Sequence, residues 1–296
     1  MHTALTIAGS DSSGGAGIQA DLKTFAAFGL FGASAITAVT AQSTKGIDAM
    51  LALPADLVTS QIEAVAGDYS IRATKVGMLA NAAIVEAVAA AIAELDLPLV
   101  VVDPVLVSSS GERLLDDDGV RALCAELLPR ARVVTPNLPE AEALSGRRIE
   151  SMDAAREAAR RIHDMGAAAV IITGGHDHGQ DSGPKAQDSG LRTQGSGLRT
   201  QGSELRVQGS LVMDLLFDGQ RFHELRVPRV ESRHIHGTGC TYASAVAAGL
   251  ALDLGLSEAA ARAQQYVAGA IRHAPGIGTG RGPLDHFWEL RSSGSG

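Results

Sequence analysis

The chain has 296 residues, of which 45% are hydrophobic, and a formal net charge of −8 at pH 7, so its length fits one large domain or two small ones. The acidic balance gives no electrostatic attraction to nucleic acid or to an anionic membrane, and no apolar stretch is long enough to span a bilayer. The two cysteines make no disulfide framework and the N-terminus shows no signal-peptide architecture, so we expect a cytoplasmic protein that binds neither nucleic acid nor membrane.

Apolar runs and helical patterns alternate along the chain. Strands are predicted at residues 4–8, 35–39, 75–78, 99–102, 132–134 and 169–172. Helices are predicted from residue 18 to the stop at Gly29 and at residues 54–65, 82–95, 119–128, 138–144 and 151–165, with Asn81 as an N-cap. Because the strands are apolar almost without interruption and helices separate them, the pattern predicts a mostly parallel sheet covered on both faces.

Polar or flexible residues follow the predicted strands where a binding site is expected. They are Gly9-Ser10-Asp11, Gln42, Met78, Asp103, Asn137 and the pair Gly174-Gly175. Ligands of such sheets bind beyond the carboxyl ends of the strands. The sequence therefore predicts one composite site at this edge.

A seven-residue repeat beginning near Gln180 interrupts the pattern. Only one apolar position recurs and glycine is abundant, so the repeat does not suit a coiled coil. We expect a flexible low-complexity loop at about residues 176–210, after which a strand resumes near Leu211. The rest is predicted to be a single domain over residues 1–290, with a disordered tail at 291–296.

The run from His236 to Cys240 carries the strongest chemical signal. Its glycines allow a tight turn, and an Ala-rich helical pattern follows directly. Free N–H groups and the dipole of a helix N-terminus attract phosphate and lower the pKa of a nearby thiol. The run therefore indicates an anion site with Cys240 as a base for phosphoryl transfer. The alternative is a glycine-rich helix cap with a cysteine that only packs.

Six segments, taken together, are more specific than any single motif. They are residues 9–24, 38–44, 75–79, 102–105, 135–142 and 236–241. In this order they resemble the bacterial hydroxymethylpyrimidine/phosphomethylpyrimidine kinases, over about residues 5–286. The resemblance implies a ribokinase-like three-layer α/β/α sandwich with a central, mostly parallel sheet, and a homodimer.

The resemblance also implies an activity. It is the ATP-dependent phosphorylation of 4-amino-5-hydroxymethyl-2-methylpyrimidine, and then of its monophosphate, for thiamine biosynthesis with Mg²⁺. Pyridoxal or pyridoxine phosphorylation is an alternative, since that ring also bears a hydroxymethyl group. A pyrimidine-binding regulatory domain without catalysis is a second alternative.

The implied roles fall on matching positions of this sequence. The expected substrate contacts are Gly9, Asp21, Gln42, Met78 and Val105. The expected metal ligands are Asp103 and Glu140, whose oxygens suit magnesium. The expected nucleotide contacts are Asn137, Thr173, Gly175 and Thr238, and the expected catalytic residues are Cys240 as general base with Gly237, Thr238 and Gly239.

Each of these residue types also has a purely structural explanation. A helical Asp21 is by default a solvated carboxylate, and Gln42 suits an ordinary loop amide. Met78 and Val105 are typical core residues. Asp103, Asn137 and Glu140 suit a turn or a helix N-terminus, a role that is compatible with metal binding.

Two departures from the family pattern concern phosphate. Family members often have a lysine where this chain has Thr173, and many have one ahead of the turn that here reads Ser108-Ser109-Ser110-Gly111. Loss of an ammonium group facing phosphate would weaken ATP binding or slow transfer. Lys185 or Arg192 in the repeat loop is a possible substitute.

Overall fold

The computed structural model describes residues 1–108, 111–174 and 211–293. Its strands are β1 (Thr3–Asp11), β2 (Phe31–Ser43), β3 (Gly46–Ala52), β4 (Ile71–Val76), β5 (Val100–Val102), β6 (Val133–Val134), β7 (Val170–Ile172), β8 (Leu211–Phe217) and β9 (Phe222–Pro228). Within these ranges they form one sheet in the order β3-β2-β1-β4-β5-β6-β7-β8-β9. The neighbours from β2 to β7 are parallel, whereas β3, β8 and β9 pair antiparallel.

Helices cover both faces of this sheet. They are α1 (Gly17–Ala27), α2 (Ala55–Asp68), α3 (Ala82–Glu94), α4 (Asp117–Ala122), α5 (Leu138–Ser145), α6 (Met152–Asp164), α7 (Thr238–Ala251), α8 (Leu256–Arg272) and α9 (Trp288–Ser293). One core joins α2 to α6 with one face of the sheet, and a second core joins α1, α7 and α8 with the other. The predicted three-layer sandwich with a mostly parallel sheet is confirmed.

The apolar sequence of the central strands accounts for their parallel pairing. Val100, Val101 and Val102 are all buried, so neither face of β5 alternates with polar residues. All six parallel strands end at the same edge of the sheet, and the polar residues that follow them meet there.

Three local features differ from the sequence prediction. The strand predicted at 35–39 continues to Ser43 and returns as β3, which the prediction lacked. The helix predicted at 119–128 becomes a π-helical turn at Leu123–Leu127 and a 3₁₀ turn at Leu128–Arg130. Pro129 has no N–H to continue an α-helix. At the C-terminus, α9 extends three residues into the predicted tail, to Ser293.

The repeat loop predicted at 176–210 and residues 294–296 lie outside the described ranges. No helix within those ranges is both long and apolar enough to cross a bilayer.

Candidate active site

A cavity of about 570 Å³ opens at the carboxyl edge of the parallel strands. This volume suits a small organic ligand. Most predicted site residues line it: Gly9, Gln42, Met78, Asp103, Val105, Asn137, Glu140, Gly237, Thr238, Gly239 and Cys240. Asp21 and Thr173 do not line it, and Gly175 lies outside the described residues.

The turn before α7 presents a helix N-terminus to the cavity. Gly237 caps this helix with a φ of +85°, and a Cβ there would lie 1.9 Å from the carbonyl oxygen of Gly15. Only glycine suits both the backbone angle and this close approach. The α1 N-terminus lines the same cavity at Gly17, whose N–H donates to the Cys240 sulfur. Two positive helix ends therefore converge on one point, where an anion is stabilised.

A buried ion pair lies beneath this turn. The Lys75 side chain is 0% exposed, and its Nζ lies 3.0 Å from Asp21 Oδ2 and 3.9 Å from Asp103 Oδ2. Burial alone would lower the pKa of Lys75, but the carboxylates, Asp21 foremost, outweigh it and raise that pKa. The lysine is therefore a permanent cation behind the site.

Asp21 belongs to the same network and does not contact the cavity, contrary to the predicted role as a substrate contact. Its carboxylate accepts hydrogen bonds from Thr6 Oγ1 at 2.6 Å and from Ser244 Oγ at 2.7 Å, in addition to Lys75. These partners enclose the carboxylate, and the side chain is fully buried. Asp21 therefore stabilises Lys75 in the described structure and presents no oxygen to the cavity.

The Cys240 thiol has a different acidity from the one predicted. Burial is the main influence and raises its pKa to about 12, with Asp103 and Asp21 adding to the rise and Lys75 opposing it. The prediction of a lowered thiol pKa is wrong, because desolvation and two nearby carboxylates outweigh the helix N-terminus. At neutral pH the thiol keeps its proton, and it forms a hydrogen bond with the Asp103 carboxylate.

Asp103 and Glu140 form the acidic side of the cavity. Burial raises the pKa of Asp103 to about 6 despite Lys75, and burial together with the charge of Asp103 raises the pKa of Glu140 well above its usual range. Glu140 and Asn137 also form a capping box at the start of α5.

The donor set fits a magnesium ion. Asp103 Oδ2 is buried without a hydrogen-bond partner, which leaves a lone pair for a cation. The described residues contain no cluster of three or more potential ligands, but magnesium is usually held by one or two carboxylates and several waters. Asp103 and Glu140 supply such a pair.

Another part of the cavity wall carries apolar side chains and an amide. Met78 is buried against Gly9, where an added Cβ would lie 2.7 Å from the Met78 methyl group. Gln42 accepts a hydrogen bond from Thr40 Oγ1 at 3.0 Å, and its amide nitrogen lies 3.4 Å from His236 Nε2. Together with Val105, these side chains leave a slot for a planar ring with one polar edge.

Sequence reasoning placed Asp11 and His236 in motifs at this edge without predicting their contact, and it did not predict Arg281 or Lys75 as site residues. Asp11 and His236 line the cavity 2.8 Å apart, and hydrogen bonds from His236 and Ser13 outweigh burial and lower the pKa of Asp11 to about 2. Arg281 also lines the cavity, and Lys75 lies beneath it. The signal for Lys75 was a lysine in a predicted strand of a sheet covered on both faces, where a buried charge requires a partner.

Thr173 extends β7 beside the site. Its N–H donates to Pro136 O at 2.9 Å, and it bridges to Asn137. The next residue, Gly174, donates its N–H to the buried Asp214 carboxylate at 2.8 Å. Lys185 and Arg192, the candidate substitutes for the family lysine, lie outside the described residues.

Comparisons with known proteins point to one enzyme family. A family model described as phosphomethylpyrimidine kinase matches residues 11–285. The chain is 42% identical to the hydroxymethylpyrimidine/phosphomethylpyrimidine kinase of Bacillus subtilis, covering 99% of this chain and 97% of that protein. It is 43% identical to a thiamine biosynthesis bifunctional protein of Geobacter sulfurreducens, covering 96% of this chain and 52% of that protein, so it spans about half of that relative.

A solved structure gives the same fold with ligands bound. The pyridoxal kinase from Staphylococcus aureus in complex with AMP-PCP and pyridoxal matches with a TM-score of 0.81 at 33% identity, covering 98% of this chain and 95% of that chain.

Proposed function

The chain belongs to the phosphomethylpyrimidine kinase family, and from this premise we propose that it phosphorylates 4-amino-5-hydroxymethyl-2-methylpyrimidine and then the resulting monophosphate, with ATP as donor, for thiamine biosynthesis. One observation carries the proposal. A single cavity combines an anion-binding turn at Gly237–Cys240, a pair of buried carboxylates and a slot for a planar ring.

The slot sets the orientation of the substrate. The pyrimidine ring lies between Met78 and Val105, with its polar edge toward the Gln42 amide. The hydroxymethyl group then faces the N-terminus of α7. Backbone N–H groups at Gly237, Gly239 and Cys240 stabilise the charge that develops on the transferred phosphoryl group.

Asp103 and Glu140 would hold Mg²⁺, which when bound neutralises phosphate charge and aligns the phosphates of ATP. Lys75 compensates the negative charge of Asp103 from behind and keeps that carboxylate in place. Asn137, which shares the capping box with Glu140, fixes the direction of the Glu140 side chain.

The proposal assigns Cys240 a role other than that of a base. In a loose phosphoryl-transfer transition state the attacking oxygen forms little bond, so its proton leaves late and passes to an oxygen of the transferred group. Cys240 donates a hydrogen bond to Asp103 and thereby orients its carboxylate.

A second candidate activity is supported by the fold comparison. The chain matches a pyridoxal kinase with pyridoxal bound at a TM-score of 0.81, and pyridoxal offers a hydroxymethyl group on a flat ring of similar size. We therefore include pyridoxal as a competing substrate in the test.

The test measures ATP-dependent product formation by mass spectrometry with each ring compound, and binding by calorimetry. We expect the pyrimidine monophosphate and then the diphosphate to appear. Phosphorylation of pyridoxal alone would favour the second candidate, and binding without turnover would favour a regulatory domain.

The assignment of Asp103 as a metal ligand is tested separately from the activity. Because Asp103→Asn removes one of two charged ligands, Mn²⁺ binding measured by electron paramagnetic resonance should weaken by at least ~10-fold, while pyrimidine binding stays detectable. The exposed Asp48→Asn variant on β3 is the control. Identical Mn²⁺ titrations for wild type and Asp103→Asn would disprove the assignment.

We also propose that two copies associate through the β2–β3 edge of the sheet. Val39 and Leu51 are cross-strand partners on that hairpin, and they are 45% and 68% exposed. An exposed sheet edge offers a template for pairing with another chain, and exposed apolar patches mark interaction sites.

A further inference from the structure

A glycine-rich segment, residues 276–282, lies between α8 and α9 and lines the cavity at Arg281; we call it the glycine strap. Near its C-terminal end, Arg281 N–H donates to Thr44 O at 2.8 Å and Gly280 N–H donates to Thr44 Oγ1 at 3.1 Å. A Cβ on Gly280 would lie 2.1 Å from Thr44 O, so the strap lies directly on the β2–β3 turn.

The last residue of the strap is hydrogen-bonded to the residue that precedes the anion-binding turn. Gly282 O accepts a hydrogen bond from His236 N–H at 3.2 Å, and His236 directly precedes Gly237. Arg281 lies between these two attachments and lines the cavity. The backbone therefore fixes its side chain at the rim beside the Gly237–Cys240 turn.

The charge of Arg281 distinguishes it from its surroundings. Among the described residues that line the cavity, Arg281 is the only lysine or arginine, whereas Asp11, Asp103 and Glu140 are all acidic. A neutral ring compound enters such a cavity without an electrostatic penalty. A phosphate monoester, with a charge of about −1.5 to −2 at neutral pH, is repelled unless a cation binds it.

We propose that Arg281 binds the phosphate of the monophosphate substrate and so determines specificity for the second phosphoryl transfer. The inference rests on the function proposed above. The guanidinium is suited to bind two phosphate oxygens at once. In this transfer a phosphate oxygen lone pair forms the bond to the γ-phosphorus of ATP, while the bond from that phosphorus to the β-phosphate bridging oxygen breaks and its electron pair leaves with ADP. The dianionic acceptor has no proton to lose.

The experiment compares the two acceptors in the same variants. Arg281→Met should lower kcat/KM for the monophosphate by about 10- to 100-fold, the loss expected for hydrogen bonds to a charged group. It should change kcat/KM for the unphosphorylated pyrimidine by less than about threefold, because that substrate carries no phosphate. Arg281→Lys keeps the charge and should recover part of the loss. Arg272→Met, an exposed arginine at the end of α8, is the matched control.

Calorimetry of monophosphate binding without ATP gives a readout that does not need turnover, and thermal unfolding confirms that each variant is folded. Equal losses for both acceptors, or a raised KM for ATP with both, would overturn the inference and assign Arg281 to the nucleotide phosphates. Unchanged monophosphate binding in Arg281→Met would also overturn it. If wild type binds the monophosphate through Arg281 but phosphorylates neither compound, the proposed function fails, and with it the specificity role, while the assignment of Arg281 as the phosphate-binding residue stands.

Discussion

At the scale of single residues, opposing effects act on the pKa of the Cys240 thiol. The α7 N-terminus and Lys75 favour the thiolate, whereas burial, Asp103 and Asp21 disfavour it. Burial is the largest of these effects, so the pKa rises to about 12. A helix N-terminus therefore does not by itself make a reactive cysteine when the site is enclosed and acidic.

This thiol should react slowly with alkylating reagents. In a Cys124→Ser background, the rate of modification of Cys240 by iodoacetamide should rise about tenfold per pH unit from pH 7 to pH 10 with no plateau, because the thiolate fraction is still small throughout this range. The rate is followed by mass spectrometry of the modified peptide. A rate that levels off at or below pH 10 would show an ordinary or activated thiol.

The buried Asp214 makes a second residue-scale prediction. Burial raises its pKa to about 6, despite hydrogen bonds from Gly174 N–H and Gln264 Nε2. The folded state then holds this proton more tightly than the unfolded chain does. The stabilisation is complete below pH 3.8 and is lost as the pH rises through 6.

The free energy of unfolding of wild type, relative to Asp214→Asn, should therefore fall by about 2–3 kcal/mol between pH 4 and pH 7. Urea unfolding at both pH values measures it. The exposed Ser60→Ala variant on α2, which removes no titratable group, should follow wild type at each pH. A difference between wild type and Asp214→Asn that does not change with pH would contradict the assigned pKa.

At the scale of secondary-structure elements, the hydrophobic pattern and the capping residues were sufficient to predict most of the fold. Asn81 and Ser151 cap α3 and α6 with side-chain hydrogen bonds at the predicted positions. The edge strand β3 was not predicted, because its apolar run at residues 49–52 is short and periodicity alone does not distinguish such a run from part of a helix. The π-helical turn at Leu123–Leu127 was not predicted either, since such turns depend on packing and have no sequence pattern of their own.

The repeat loop should be dispensable for stability. Strands β7 and β8 are antiparallel neighbours, with Ile172 paired to Leu215, so a short turn can join them. Replacing residues 176–210 by a four-residue turn should change Tm by only a few degrees, because the closure entropy of a loop varies slowly with length. Calorimetry measures this shift.

A fall in Tm of more than about 10 °C would show that the replaced segment contributes to the core. An unchanged Tm with a raised KM for ATP would instead indicate that a loop cation such as Lys185 contacts the nucleotide.

At the scale of the whole molecule, the site depends on pairs that are distant in sequence. Asp11 meets His236 across 225 positions, and Asp21 meets Ser244 across 223. The sequence indicated which residues follow strands, and therefore most of the cavity lining. It gave no indication that Asp21 would be enclosed or that Cys240 would lie among carboxylates, because burial and charge there are set by α1, α7 and three strands together.

Association of two copies is the last prediction and links the sheet edge to the cavity. Strand β3 is the outermost strand beside β2, and Gln42 pairs with Ile47 across this hairpin while both residues line the cavity. Covering this edge with a second copy would bury Val39 and Leu51 and hold the ring-binding wall in place.

Wild type should therefore have a mass in solution of twice 30.4 kDa by light scattering, and Leu51→Glu should shift it toward the monomer. Because the hairpin would lose its support, KM for the pyrimidine should rise in this variant while KM for ATP changes little. Leu290→Glu, which places the same charge at a 60% exposed position of α9, is the matched control. A monomeric wild type, or a Leu51→Glu dimer as stable as that of the control, would place any association on another surface.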